Sequence, residues 1–256
     1  MKFPLTVAAI ALAALMSPAD AAALQESGDP LASARWADME KMVLAGEPVL
    51  FDPRVKVIAP STAENPMQVP VTVDATALGK VVEVVVFADF NPIIQILRFY
   101  PQASSAYLGF RVKLQQSTPV RAAARTADGI WHVGGTWVNT VGGGCTAPSA
   151  AAGSPLWQKQ LNEVSGRQWS EGAQSGRIRM RIVHPMDTGL VAGTPAFYLE
   201  EINFNDAAGE HLMRLQTYEP VAENPVFTLQ RGEFSGPVDT SGRDNNGNTF
   251  RARIAP

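Results

Sequence analysis

The sequence predicts an all-β protein: two β-sandwich domains in tandem, joined by a Gly/Ala/Ser-rich linker, with a short helix ahead of each. Three observations carry this. Short runs rich in β-branched residues, separated by turn signals, recur in both halves of the 256 residues. Between Val141 and Pro155 the composition changes to VGGGCTAPSAAAGSP, without charge or strand alternation. Helical periodicity is confined to two brief stretches.

The first of these stretches begins at Asp29-Pro30, which reads as an N-cap with proline at the first helical position. Trp36, Met39 and Val43 follow at helical spacing until Gly46. From Val49 the period changes. Val55, Val57 and Ala59 alternate with lesser positions, as do Val69, Val71 and Val73. The runs Val81–Phe87, Ile93–Phe99, Tyr107–Leu114, Val120–Arg125 and Ile130–Val138 read as strands, with Asn91-Pro92 and Asp128-Gly129 as turns.

Beyond the linker, Ser154 and Pro155 read as the start of a second helix, on which Trp157, Leu161 and Val164 share a face before Gly166 ends it. Strands are then expected at Arg177–Val183, Phe197–Phe204, Leu212–Tyr218, Val226–Gln230 and Thr249–Ile254. Asp206–Gly209 and Asn245–Asn248 are turns. The halves echo one another: Arg54–Pro60 resembles Arg177–Pro185, and Asn91–Leu97 resembles Asn224–Gln230.

Lys2, the apolar run Leu5–Met16 and the small residues up to Ala21 describe a secretory leader over residues 1–23. The mature chain is therefore expected to be exported and soluble, with no membrane attachment after cleavage. A net charge of −3 gives no reason to expect nucleic acid as a partner. The single cysteine, Cys145, excludes an intramolecular disulfide, a CxxC pair and any metal site needing two thiolates. No acidic cluster has metal-binding spacing, so no metal and no bound cofactor are expected.

In an oxidising compartment an odd cysteine points to an intermolecular bond or a thiol with a function. Gly142, Gly143 and Gly144 precede Cys145, so the thiol is expected to be exposed on a flexible segment. A catalytic cysteine needs a positioned base. No Lys, Arg or His lies between Thr140 and Gln158, and His132, His184 and His211 read as structural residues. The thiol therefore reads as a carried group, with no catalytic residue in this chain. Arg177, Arg179 and Arg181 alternate with apolar residues. They read as a solvated strand face, or as a basic strip for an anion or a partner.

These residues resemble a known family. The chain is similar to a fusion of the two subunits of the SoxYZ sulfur carrier of periplasmic sulfur oxidation. Residues 24–141 with the Val141-Gly-Gly-Gly-Cys145 segment resemble SoxY. Residues 156–256 resemble SoxZ, through Val183-His-Pro-Met-Asp-Thr-Gly189 and Asn224-Pro225. The resemblance implies immunoglobulin-like sandwiches and a sulfur adduct carried covalently on Cys145. The implied partners are a cytochrome that loads thiosulfate oxidatively and a hydrolase that releases sulfate. Fused carriers of this type also accompany quinoprotein (PQQ) dehydrogenases, which leaves an accessory binding module as the alternative reading. In the family the cysteine sits on a free C-terminal arm. Here Thr146-Ala147 replace the trailing glycines and the chain continues, so a thiol in the 142–155 linker must bring both flanking segments with it.

Overall fold

A computed structural model describes residues 28–150, 156–170, 175–231 and 236–256 of the chain. The expected leader and the Ser154-Pro155 helix start lie outside the described residues.

The chain folds as β-sandwiches built on two main sheets. One sheet runs in the order β1 (Val49–Phe51), β9 (Trp131–Thr140), β8 (Thr118–Thr126), β5 (Val81–Ala88), β6 (Gln95–Tyr100), β15 (His211–Thr217), β14 (Leu199–Asn205), β17 (Val238–Asp244), β18 (Thr249–Ile254), with β3 (Thr62–Ala63) also pairing β9. The facing sheet runs β10 (Val164–Ser170), β11 (Gly176–Ile182), β16 (Val226–Arg231), β7 (Ser104–Val112), β4 (Val69–Asp74), β2 (Lys56–Ile58). β12 (Asp187–Thr188) and β13 (Ala196–Phe197) form a separate small ribbon.

Both sheets pass from one half of the sequence to the other. β6 pairs antiparallel with β15, setting Phe99 opposite Leu215, and β7 pairs with β16, setting Leu108 opposite Leu229. The halves are thus joined by two backbone ladders as well as by the linker. A single apolar cluster follows, in which Leu97, Phe99 and Leu108 pack with Ile202, Leu215 and Phe227. Of the two sequence echoes, β2 and β11 lie in the same sheet, whereas the segment after Asn91-Pro92 enters one sheet at β6 and that after Asn224-Pro225 enters the other at β16, so the second pair does not hold equivalent positions.

Helix α1 (Trp36–Val43) covers the outer face of the larger sheet, where Met39, Val43 and Leu44 meet Val85, Phe87, Ala123 and Val133. This explains why Val84–Ala88 reads as a continuous apolar run: both of its faces are covered. Asp29 does not cap this helix. Its carboxylate instead accepts from Leu31 N at 3.1 Å and Ser33 N at 2.7 Å, closing a turn in which Ala32 has φ 49°. In the second half, α2 (Leu156–Gln160) stops early because Asn162 turns at φ 64°. Val164 and Gly166 therefore belong to β10 rather than to a helix.

The N-terminal segment is held by one arginine. Arg121 is 1% exposed and its guanidinium grips Asp29 at 2.7 and 2.8 Å and Asp89 at 3.0 and 3.1 Å, beneath the Trp36 ring. Burial alone would raise the Asp29 pKa, but Arg121 and two backbone N–H groups hold it below the usual carboxylate value. Replacing Arg121 with Met leaves two buried carboxylates facing each other. Chemical denaturation of the variant is expected to show a loss of about 3–5 kcal/mol.

Candidate functional site

Cys145 is fully buried. The expectation of an exposed thiol on freely moving glycines is corrected by the way the segment packs. Gly143 N donates to Gln115 O at 3.0 Å and Gly144 N to Leu114 O at 3.0 Å, laying the segment along the chain that leaves β7. Gly142 and Gly143 have φ of 87° and 88°, which side chains rarely adopt. A Cβ at Gly144 would lie 2.2 Å from Pro66 O. The glycines thus permit close backbone approach here.

The thiol is held from several directions. Cys145 N donates to Gln115 Oε1 at 3.2 Å, and Sγ lies 3.5 Å from Lys113 O. Asn91 fixes that strand end, donating from Nδ2 to Lys113 O at 2.9 Å and accepting from Gln115 N at 2.9 Å. The second half of the chain closes the site. Thr188 Oγ1 donates to Cys145 O at 2.6 Å, and Lys113 Nζ donates to Met186 O and, at 3.3 Å, to Glu219 O. The segment His184–Gly189, noted above as a motif, therefore forms one wall around the cysteine.

Burial governs the charges. It pushes the Cys145 thiol up to about 11, with the Lys113 ammonium acting downward. Burial likewise brings Lys113 down to about 8, against the upward pull of Cys145 and then of Asp187, Glu223 and Glu219. At pH 7 the thiolate is a fraction of roughly 10⁻⁴, so the stowed thiol is a poor nucleophile. His184 is fully buried, and burial drops its pKa to about 4 despite Asp244 Oδ2 at 3.7 Å. Its Nδ1 accepts from Met186 N at 3.1 Å, so the neutral ring carries its proton on Nε2, towards Asp244.

Sequence reasoning singled out Cys145 and the glycines but missed Asn91, Lys113, Gln115 and Thr188 as its partners. Two signals were present, Asn91-Pro92 as a turn and the His184–Gly189 motif, yet neither spacing gives a contact. The three histidines separate. His132 pairs with Asp52 at 2.8 Å and His211 with Asn205 at 2.7 Å, while His184 braces the cysteine wall. Arg177, Arg179 and Arg181 lie on β11 with alternating burial; none is bonded to Cys145. No group of His, Cys, Asp and Glu suited to a metal ion occurs among the described residues. Among them, too, no helix is long and apolar enough to cross a membrane.

Comparison with known proteins agrees with this division of the site. Residues 40–145 match the family described as sulfur oxidation protein SoxY, and the match ends on Cys145. Residues 168–255 match the family described as sulphur oxidation protein SoxZ. The chain thus joins a SoxY domain to a SoxZ domain in one polypeptide. It is similar to the solved sulfur carrier protein SoxY from Chlorobium limicola f thiosulfatophilum, at 18% identity over 42% of this chain and 96% of that one, with a TM-score of 0.37. No curated protein matches.

Two outcomes follow from the packing. Gly144→Ala must push the segment off Pro66 O, so native Cys145 should be alkylated by iodoacetamide about tenfold faster or more, the factor given by about 1.4 kcal/mol of eased opening. His184 protonates near 6.5 when unfolded and near 4 when folded, so the unfolded state binds the extra proton between those values. Acidification across that window should cost about 3 kcal/mol of stability. In His184→Asn, urea titrations across the same pH range should show a shallower loss.

Proposed function

We propose that this SoxY–SoxZ fusion is a carrier in the bacterial periplasm, which holds sulfur-containing intermediates covalently on Cys145 while partner enzymes act on them. The observation that supports this most directly is the position of Cys145. It is the chain's one thiol, it stands at the end of the SoxY match, and it is enclosed by side chains from both domains. An apolar leader with a small-residue cleavage site supports export.

In the stowed state the thiol is protonated and shielded, which suits a group that must survive between partners. Loading requires the segment to release Gln115 and Thr188. The neighbouring Thr146 is already exposed, and Gly142–Gly144 can adopt the many backbone conformations that release needs. Once in water, the thiol returns towards its ordinary pKa and can react. Cytochromes and sulfate-releasing hydrolases are the partner classes this reading calls for; the chain itself supplies the attachment point.

Tetrathionate tests the reading without a partner enzyme. The Cys145 thiolate attacks one of its inner sulfurs, forming Cys–S–S–SO3⁻ as the inner S–S bond breaks and thiosulfate leaves with the electron pair. Intact-mass spectrometry of folded protein should show one S–SO3 group, absent in Cys145→Ser and removed by dithiothreitol. A native thiol that stays unmodified, in protein that still melts cooperatively, would overturn the carrier reading. Full function of Cys145→Ser in cells would point instead to an accessory docking module for a quinoprotein dehydrogenase.

A further inference from the structure

The smaller sheet turns one face to the core and leaves the other open. The strand registers place Arg167 on β10, Arg177, Arg179 and Arg181 on β11, Arg111 on β7 and Lys56 on β2 in outward-facing positions. Among the described residues, Asp74 is the one carboxylate in the same outward rows, and it is engaged by Thr76. A chain with net charge −3 thus concentrates positive charge on a single face.

Most of these cations have no counter-charge among the described residues. Arg167 and Arg179 are direct cross-strand partners, an arrangement in which like charges destabilise a sheet. Among the described residues, neither they nor Arg111 and Arg181 form an ion pair. Arg167 lies 5.4 Å from the Trp169 ring and Arg177 lies 4.8 Å from the Tyr107 ring, so the face combines guanidinium groups with aromatic platforms. Arg, Trp and Tyr are the residues that carry most binding energy at protein interfaces. Between the arginines lies a shallow groove of about 360 Å³, lined by Ser165, Arg167, Arg179, Arg181 and Val226. It is open, and its cations are spread along the strands rather than converging on a point.

The face also leads to the cysteine. Arg111 stands two residues before Lys113, whose carbonyl meets Cys145 Sγ, and Arg181 stands three before His184. We propose that this arginine face is the docking surface for an acidic protein partner, set beside the place where Cys145 emerges. The partner role rests on the carrier reading above; the docking surface does not, since it requires no chemistry at the thiol.

Fluorescence anisotropy with a short, labelled poly-L-glutamate tests the face on the full chain. Binding is expected to weaken as NaCl is raised and to fall about tenfold or more in Arg179→Glu/Arg181→Glu. It should stay unchanged in Cys145→Ser and in Arg253→Glu, which alters an arginine on the other sheet. Arg179→Glu alone should raise the melting temperature by about 1–3 °C, because Arg167 then faces an opposite charge. Absence of peptide binding, or equal binding by the double variant, overturns the proposal. So does displacement of the peptide by thiosulfate more effectively than by additional polyglutamate, which would make the face a small-anion site. A lower melting temperature for Arg179→Glu would show the arginines to be part of the fold, and overturns it as well.

Discussion

At the meeting of β7 with β16, and of β6 with β15, backbone groups that would otherwise line two open sheet edges are paired by the other half of the chain. Exposed edges invite pairing with foreign strands, and here the covalently attached second domain fills them. The same ladders set the register of everything beyond their ends. Past the end of β7, Val112 bridges to Val221 and Lys113 N donates to Pro220 O. That alignment carries the Lys113 ammonium to the carbonyls of Met186 and Glu219, and Thr188 to the carbonyl of Cys145. The cysteine site is therefore a product of the junction, and neither half alone contains it.

The site's chemistry depends on a balance between two buried groups. Lys113 is charged where water is scarce, and Cys145 is neutral beside it. The ammonium acts to lower the thiol's pKa. Yet burial outweighs the ammonium's pull on the thiol, since the thiol still titrates near 11. Proximity of a cation is thus insufficient to activate a cysteine when both are desolvated. The fold as it stands keeps the thiol protonated and enclosed.

The strands that the sequence made visible are those with β-branched or aromatic residues packed into the core, such as Val69–Val73, Val81–Phe87 and Val226–Gln230. Several strands escaped, and for two of them, β17 and β10, the physical reason is plain. β17 (VDTSGRD) is polar and contains Gly242, where a Cβ would lie 2.3 Å from Glu201 O, so close packing of neighbours replaced the usual pattern. β10 (VSGRQWS) carries Arg167 and an internal glycine and earns its place by pairing with β11. At the site, the cysteine was legible as a chemical anomaly. Its burial was not, because consecutive glycines permit either mobility or very close approach, and only the chain lying across from them decides which. Lys113 gave no local signal at all, since its proximity to the thiol arises from contacts distant in sequence.

On the proposed carrier reading, connectivity bounds what the Cys145 thiol could do once released. Thr140 N is bonded to Ser117 Oγ on one side of the segment, and Ala150 N to Glu223 Oε2 on the other. Cys145 lies midway, five residues from each. Fully extended, five residues reach about 17 Å, and both arms must travel together. A thiol on such a loop can enter a broad cleft near the protein surface but cannot thread a narrow channel as a free chain end can. If these anchors hold, a partner must present its reacting atoms within that distance of the junction. Orientation then matters more than reach, because a partner docked elsewhere on the molecule could not be served by the loop. On the proposed carrier reading, a face of fixed charge beginning two residues from the Lys113 carbonyl would meet that requirement with rigid strands, and the short loop and the arginine sheet would be parts of one geometric solution.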